Sequence, residues 1–117
     1  MKNLDQIRAS NALARTPPLA NKEGRSALSG YPSLVIGNGL LATLAFSLDK
    51  GNKHLEIGNA VAHHLANLAE GENLVEPEQP TAEGLRKKLT ASDADHLRRC
   101  TSEALAFLSF LKRFARS

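Results

Sequence analysis

The last quarter of the chain has the clearest pattern of hydrophobic and polar positions. Six residues step by three or four, which places them on one stripe of an α-helix: Leu97, Cys100, Ala104, Phe107, Leu111 and Phe114. Leu108 and Ala115 widen this stripe, and the arginines and lysine at 98, 112, 113 and 116 fall on the opposite arc. The pattern predicts one long amphipathic helix, capped at Ser92, with an apolar face for packing and a basic face that suits an anion.

The same helical period recurs earlier in the chain. It predicts a first helix over Asn3 to Arg15, ended by Thr16-Pro17-Pro18, and a helical region over Gly24 to Asp49. Pro32 and Gly37-Asn38-Gly39 interrupt that region, so two pieces with a kink or short break are expected. After a turn in which Gly51 is the predicted helix C-cap, a third helix is predicted over Lys53 to Ala69, ended by Gly71. A loop over Glu72 to Pro80 follows. A short helix is then predicted from the Thr81 cap through Leu89.

No segment alternates apolar and polar residues in the manner of a strand. The sequence therefore predicts an all-α fold, a compact bundle of about six helices. Its length of 117 residues fits one domain over residues 1–117, with an acidic loop at about 70–80.

The charge of the chain is uneven. Five of its 12 acidic residues lie between Glu70 and Leu85, where no basic residue occurs, so all 15 lysines and arginines belong to the remainder. A basic body suggests a polyanion or an acidic protein surface as partner. The chain has one cysteine, shows no signal pattern at its start and contains no long apolar run, so a reducing, cytoplasmic location is expected.

The sequence offers little for catalysis or metal binding. His63 and His64 are adjacent and would point in different directions on a helix, one at the core edge and one in solvent. His96, Cys100 and Glu103 have helical spacing and could form half of a metal site, but nothing visible supplies the other half. Cys100 lies on the apolar stripe, where a buried inert thiol is the default. We therefore expect no enzyme activity and no cofactor.

Two patterns could suggest nucleotide or DNA binding. Gly37-Asn38-Gly39 lacks the spacing of a phosphate-binding loop and does not follow a strand. The segment from Leu85 to Arg99 could mimic a helix-turn-helix, but its second helix would begin with Asp93 and Asp95, which repel phosphate. Exposed aromatic platforms for bases are not evident either, so any nucleic acid would be held by its backbone.

Three stretches carry a family resemblance in the right order: LDQIRASNAL at 4–13, YPSLVIGNGLLATLAFSLDKG at 31–51 and EALAFLSFLKRFA at 103–115. They resemble the small all-helical subunit of the type III-B (Cmr) CRISPR RNA-silencing complex. The most specific parts are NGLLATLAF and FLKRFA, although Phe110 stands where the family often has tryptophan. The related type III-A small subunit is also helical, and the sequence leaves it open as an alternative.

The resemblance implies a function without chemistry. Family members stack as copies into a filament beside larger RNA-binding subunits, and the two filaments enclose the guide RNA and its target RNA in antiviral defence. Basic residues of the small subunit hold the RNA phosphates. Choosing by charge and helix face, and by the family motif for Lys112 and Arg113, the predicted RNA contacts are Arg8, Arg15, Lys50, Lys53, Lys112, Arg113 and Arg116, with Arg98 and Arg99 as reserves.

Two other functions fit the sequence. A helical protein–protein adaptor without RNA contact would use Leu105 and Phe110, which lie outside the main stripe of the last helix and are otherwise expected to be buried. A helix-turn-helix DNA binder would contact duplex DNA through Arg98 and Arg99.

Overall fold

The structure, a computed structural model, describes residues 2–68, 73–75 and 80–116. Six α-helices and a short 3-10 helix make up the regular structure of these residues, and no strand occurs among them. The all-α prediction with about six helices is confirmed. The helices are α1 (Leu4–Arg15), α2 (Lys22–Asn38), α3 (Leu40–Lys50), α4 (Asn52–Leu65), α5 (Ala82–Thr90) and α6 (Ala94–Ala115), and the 3-10 helix spans Pro17–Leu19.

Side-chain caps decide where most of these helices begin. Asn3 caps α1 as a reciprocal capping box with Gln6, and Thr81 caps α5 by accepting a hydrogen bond from the Gly84 amide. The prediction that Ser92 caps α6 is wrong. Asp93 is the cap, because its carboxylate accepts from the His96 amide at 2.8 Å, whereas the Ser92 hydroxyl donates to the Lys88 carbonyl at the end of α5.

The long second helical region divides at one point only. Pro32 lies inside a continuous α2, while Gly39, with φ of +91°, separates α2 from α3. A proline costs the helix one backbone hydrogen bond, but α2 packs along α3, α4 and α6, and this packing outweighs the loss. Asn21 caps α2 through the Gly24 amide, so the helix begins at Lys22 rather than at Gly24.

The other predicted boundaries are close to those observed. Gly51 has φ of +70° and ends α3, as predicted for a C-cap. The third predicted helix ends at Leu65 rather than Ala69, and the chain at 73–75 and 80 is not helical. The predicted stop at Gly71 and most of the predicted acidic loop lie outside the described residues.

Helix α6 forms the centre of the core and packs against α1, α2 and α4. The predicted stripe faces inward: Cys100, Ala104, Phe107 and Leu111 are buried, while Leu97 and Phe114 are half-buried at its ends. Leu105 and Phe110 are also half-buried against the core, which confirms that packing occupies them. None of the described helices is long and apolar enough to cross a membrane.

Two polar side chains enter this core against expectation. His64 is fully buried and its ring stacks on Phe107, with ring centroids 4.3 Å apart, and His63 is half-buried. The prediction that one of the two histidines lies in solvent is therefore wrong. Glu103 is buried as well, and its carboxylate is hydrogen-bonded to Arg8 and His64. The described residues contain no cluster of three or more His, Cys, Asp or Glu side chains that could hold a metal ion.

Candidate nucleic-acid interface

A basic cleft lies where the start of α2 meets the end of α6. Its volume is about 380 Å³, and the described residues that line it are all polar: Lys22, Arg25, Ser26, Ser29, Lys112 and Arg116. Lys112 and Arg116 were predicted from the sequence as RNA contacts, whereas Lys22 and Arg25 were not. We call this site the α2–α6 cleft.

Helical geometry explains why these side chains converge. Arg25, Ser26 and Ser29 share one face of α2, and the opposite face buries Leu28, Tyr31 and Val35 in the core. Lys112 and Arg116 are four residues apart and therefore lie one above the other at the end of α6. Since the two serines are short, they leave space between the longer cationic side chains for an anion to approach.

A second, larger cleft of about 790 Å³ lies between α2 and the turn that joins α3 to α4. Lys22 and Ser26 line both clefts, so the two are contiguous. We call this site the α2–α3 cleft. It brings the predicted contacts Lys50 and Lys53 to the same side of the molecule as the α2–α6 cleft, and its other lining residues are Glu23, Ala27, Gly30, Leu34, Phe46, Gly51, Asn52 and His54.

The electrostatic character of this surface is cationic. Among the residues within 2–68, 73–75 and 80–116 that line the two clefts, six are lysines or arginines and one, Glu23, carries a carboxylate. Burial lowers the pKa of His54 and nearby Lys50 lowers it further, which favours the neutral imidazole. The arrangement suits the binding of phosphate groups, and it presents no nucleophile with an adjacent base among its lining residues.

The two lysines that line only the α2–α3 cleft, Lys50 and Lys53, are held differently. Lys53 is half-buried; its ammonium donates to the Pro18 carbonyl at 2.8 Å and lies 3.8 Å from the Glu56 carboxylate. Lys50 is exposed, and its ammonium lies 6.0 Å from the centre of the Phe46 ring. Lys50 can therefore turn toward a ligand at less cost than Lys53.

The remaining predicted contacts lie elsewhere. Arg8 donates hydrogen bonds to the carboxylates of Glu103 and Asp5, and the bonds to Glu103 are the main cause that raises the pKa of Arg8. Arg15 ends α1 close to His63, and Arg113 is exposed on α6 but lines neither cleft. The reserve Arg98 pairs with Asp95 at 2.8 Å, roughly 20 Å along α6 from Lys112.

The sequence did contain a signal for the cations that were missed. Lys22, Arg25, Ser26 and Ser29 follow a helical spacing that is complementary to the buried residues of α2. The signal was lost because the region was predicted to begin at Gly24, which left Lys22 outside the helix and Arg25 at its frayed end.

Comparisons with known proteins agree with the fold. The model of the family described as CRISPR-associated protein (Cas_Cmr5) matches residues 4–117. The X-ray crystal structure of a CRISPR-associated Cmr5 family protein from Thermus thermophilus superposes with a TM-score of 0.76 at 26% identity, over 98% of this chain and 96% of that chain. No curated protein matches the chain.

Proposed function

Because the chain belongs to the Cas_Cmr5 family of CRISPR-associated proteins, and is thus a small subunit of the Cmr complex in CRISPR defence, we propose that it holds RNA without catalysing a reaction. In this proposal, copies of the chain stack into a filament within the cytoplasmic ribonucleoprotein and contact the backbone of the guide RNA–target RNA duplex. The observation that carries the proposal is the α2–α6 cleft together with the adjoining α2–α3 cleft, whose lining residues, as far as the structure describes them, include six cations and one carboxylate.

Phosphate binding suits this surface better than base reading. Lysine and arginine side chains on a polyanion gain free energy mainly by releasing condensed counterions, and this gain does not depend on base sequence. Serine hydroxyls can add hydrogen bonds to phosphate oxygens without adding sequence preference. The α2–α6 cleft contains both residue types, so it fits a subunit that must accept any guide sequence.

The proposed contacts fall into two groups. Lys112 and Arg116, with Lys22 and Arg25, form the primary group in the α2–α6 cleft, and Lys50 and Lys53 extend it into the α2–α3 cleft. Contacts to RNA by Arg8, Arg15 and Arg113 stay predictions, because these residues line neither cleft.

Stacking of copies would strengthen such contacts. A single chain offers only a few phosphate contacts, but neighbouring copies on one RNA act together through their high effective concentration. The proposal therefore concerns the assembled complex with its larger subunits, and the complex is the appropriate sample for the test.

The test is the salt dependence of target RNA binding by the assembled complex. Replacing both Lys112 and Arg116 with alanine removes two phosphate contacts from each copy of the chain, so the slope of log affinity against log salt should fall by about two units per copy that contacts the RNA. Arg98→Ala, which removes an arginine of the same helix far from the clefts, is the matched control and should leave the slope unchanged. Equal slopes for all three complexes would refute the proposed surface and favour a protein–protein adaptor.

A further inference from the structure

The α2–α3 cleft has an aromatic wall that phosphate binding does not explain. Phe46 is 41% exposed, and its ring packs perpendicular to that of His54, with centroids 5.4 Å apart and planes at 89°. The Lys50 ammonium lies 6.0 Å from the Phe46 ring centre. An exposed aromatic ring beside a cation, inside a concave site, is the arrangement that proteins use to stack a single nucleobase.

The rest of the lining divides into an apolar and a polar part. Ala27 and Leu34 accompany Phe46, while Lys22, Lys50 and the Ser26 hydroxyl provide cationic and hydrogen-bonding groups. Small-molecule sites commonly have volumes of roughly 300–1,000 Å³, and the cleft, at about 790 Å³, falls in this range. Such a site matches a nucleotide, which has an apolar π-face at one end and an anionic phosphate at the other.

We propose that the α2–α3 cleft takes one unpaired nucleotide of the bound RNA, with its base against the Phe46 ring and its phosphate against Lys50 and Lys22. The inference rests on the proposed function, since the RNA backbone would enter from the α2–α6 cleft, with which the α2–α3 cleft shares Lys22 and Ser26. It replaces the expectation that no aromatic platform is available for a base.

The surroundings favour a nucleotide over a protein side chain in this site. The cleft continues into a surface that carries cations on both sides of α2, which suits a chain with a phosphate at every residue. Stacking on Phe46 would not discriminate among bases, because every base has a π-face. Burial and nearby Lys50 lower the pKa of His54, which favours its neutral imidazole, and this ring packs against Phe46.

The test uses the complex assembled with guide RNA and a target RNA that carries one unpaired 4-thiouridine, moved through successive positions. Irradiation should link the thiouridine to the peptide that contains Phe46 or His54 for at least one position, as read by mass spectrometry. At that position, wild-type complex should prefer the base-containing RNA over an abasic RNA by about 5- to 100-fold. Phe46→Ala should abolish the preference, and Phe46→Tyr should preserve it.

Ile36→Ala provides the matched control, since Ile36 is an exposed apolar residue, 73% accessible, that lines neither cleft. The nucleotide site would be overturned if the thiouridine cross-linked only to other peptides of this chain or only to other subunits. It would also be overturned if Phe46→Ala kept the preference for the base-containing RNA. The salt slope of the Lys112→Ala/Arg116→Ala complex is measured in parallel. If that slope falls but the nucleotide site fails its own test, the proposed RNA-binding function is supported without the nucleotide site. If the slope does not fall, the proposed function fails, and the nucleotide site, which rests on it, fails as well.

Discussion

Arg8 and Glu103, which are 95 residues apart, join the first and last helices through two parallel hydrogen bonds of 2.7 and 2.8 Å. The same carboxylate accepts from Nε2 of the buried His64 at 2.9 Å. The side-chain nitrogen of Asn11 donates one hydrogen to the Asn67 carbonyl. Its other hydrogen is directed at Nδ1 of His64, so Nδ1 accepts and the proton of the neutral His64 ring is on Nε2. One buried carboxylate thus connects α1, α4 and α6.

Removing the carboxylate should destabilise the protein strongly. Glu103→Ala leaves Arg8 and the His64 Nε2–H without their acceptor in a largely buried site, so we expect a loss of about 2–4 kcal/mol in the free energy of unfolding. Urea unfolding of the isolated chain measures it. Glu83→Ala, which removes an exposed carboxylate paired with Arg86, is the control and should change little. Equal losses of unfolding free energy for the two substitutions would show that the buried carboxylate stabilises the protein no more than an exposed one.

Arg8→Ala separates a structural role from RNA binding. We expect a clear loss of stability, because Glu103 would remain as a buried charge with its stronger partner gone. Combined with Glu103→Ala in a double-mutant cycle, it should show a coupling of about 1–3 kcal/mol. The salt slope of RNA binding by the assembled Arg8→Ala complex then tests the prediction that Arg8 also contacts phosphate: a lowered slope supports that contact, and an unchanged slope refutes it.

The stability of the protein should depend on pH through His64. Burial lowers its pKa from 6.5, Arg8 and His63 act in the same direction, and the hydrogen bond to Glu103 opposes them. Below about pH 6.5 the unfolded chain binds a proton that the folded chain resists, so the free energy of unfolding should fall as the pH is lowered. His54 and His63, whose pKa values are also lowered, contribute with the same sign.

Two variants check this pH dependence in urea unfolding between pH 5 and 8. His64→Gln should show a shallower decline below pH 6.5 than wild type, whatever its stability at pH 8. His96→Gln, at a partly exposed histidine outside the network, should keep the wild-type decline. A second decline is expected as the pH falls below about 4.5, the ordinary pKa of a glutamate, because the folded chain resists protonation of Glu103: burial raises the pKa of this carboxyl, but the hydrogen bonds from Arg8 and His64 lower it overall. An identical profile for His64→Gln would contradict the assignment.

Two glycines of α2 should respond in opposite ways to alanine. A Cβ at Gly24 would overlap the backbone of Leu19, which cannot move without disturbing the 3-10 helix, so Gly24→Ala should cost about 2–3 kcal/mol. A Cβ at Gly30 meets nothing within 4 Å, and alanine favours a helix interior, so Gly30→Ala should gain about 0.5–1 kcal/mol. Thermal unfolding compares the two, and a Gly24→Ala protein as stable as wild type would contradict the close approach.

The cations that the sequence analysis missed should matter as much as those it found. In the assembled complex, Lys22→Ala and Arg25→Ala should each lower the salt slope of RNA binding by about one unit per copy of the chain that contacts the RNA, because each removes one phosphate contact from every such copy. Arg86→Ala, on α5 outside both clefts, serves as the control and should have no effect. If only Lys112 and Arg116 affect the slope, α2 does not face the RNA.

Much of the fold could be predicted from local rules. The helical period, the prolines after Arg15, Gly51 with its positive φ and the Thr81 cap act within a few residues of their own position, so the sequence alone located α1, α5 and the end of α3. The inward face of α6 followed from spacing in the same way. By contrast, local rules did not predict that Pro32 stays inside α2, because the packing of α2 against other helices outweighs the lost hydrogen bond. Nor did they predict Asp93 as the cap of α6, because Ser92 instead donates its hydroxyl to the end of α5.

The sequence by itself thus determined an all-α chain whose last helix has an inward apolar stripe and a basic outer end. Only the tertiary structure decided which charged side chains pair with one another and which line a common cleft. It paired Arg8 with Glu103 across 95 residues and assembled Lys22 and Arg25 with Lys112 and Arg116. Helical periodicity is a property of neighbouring residues, whereas the partner of a charged side chain depends on how distant helices pack, and no local spacing encodes that.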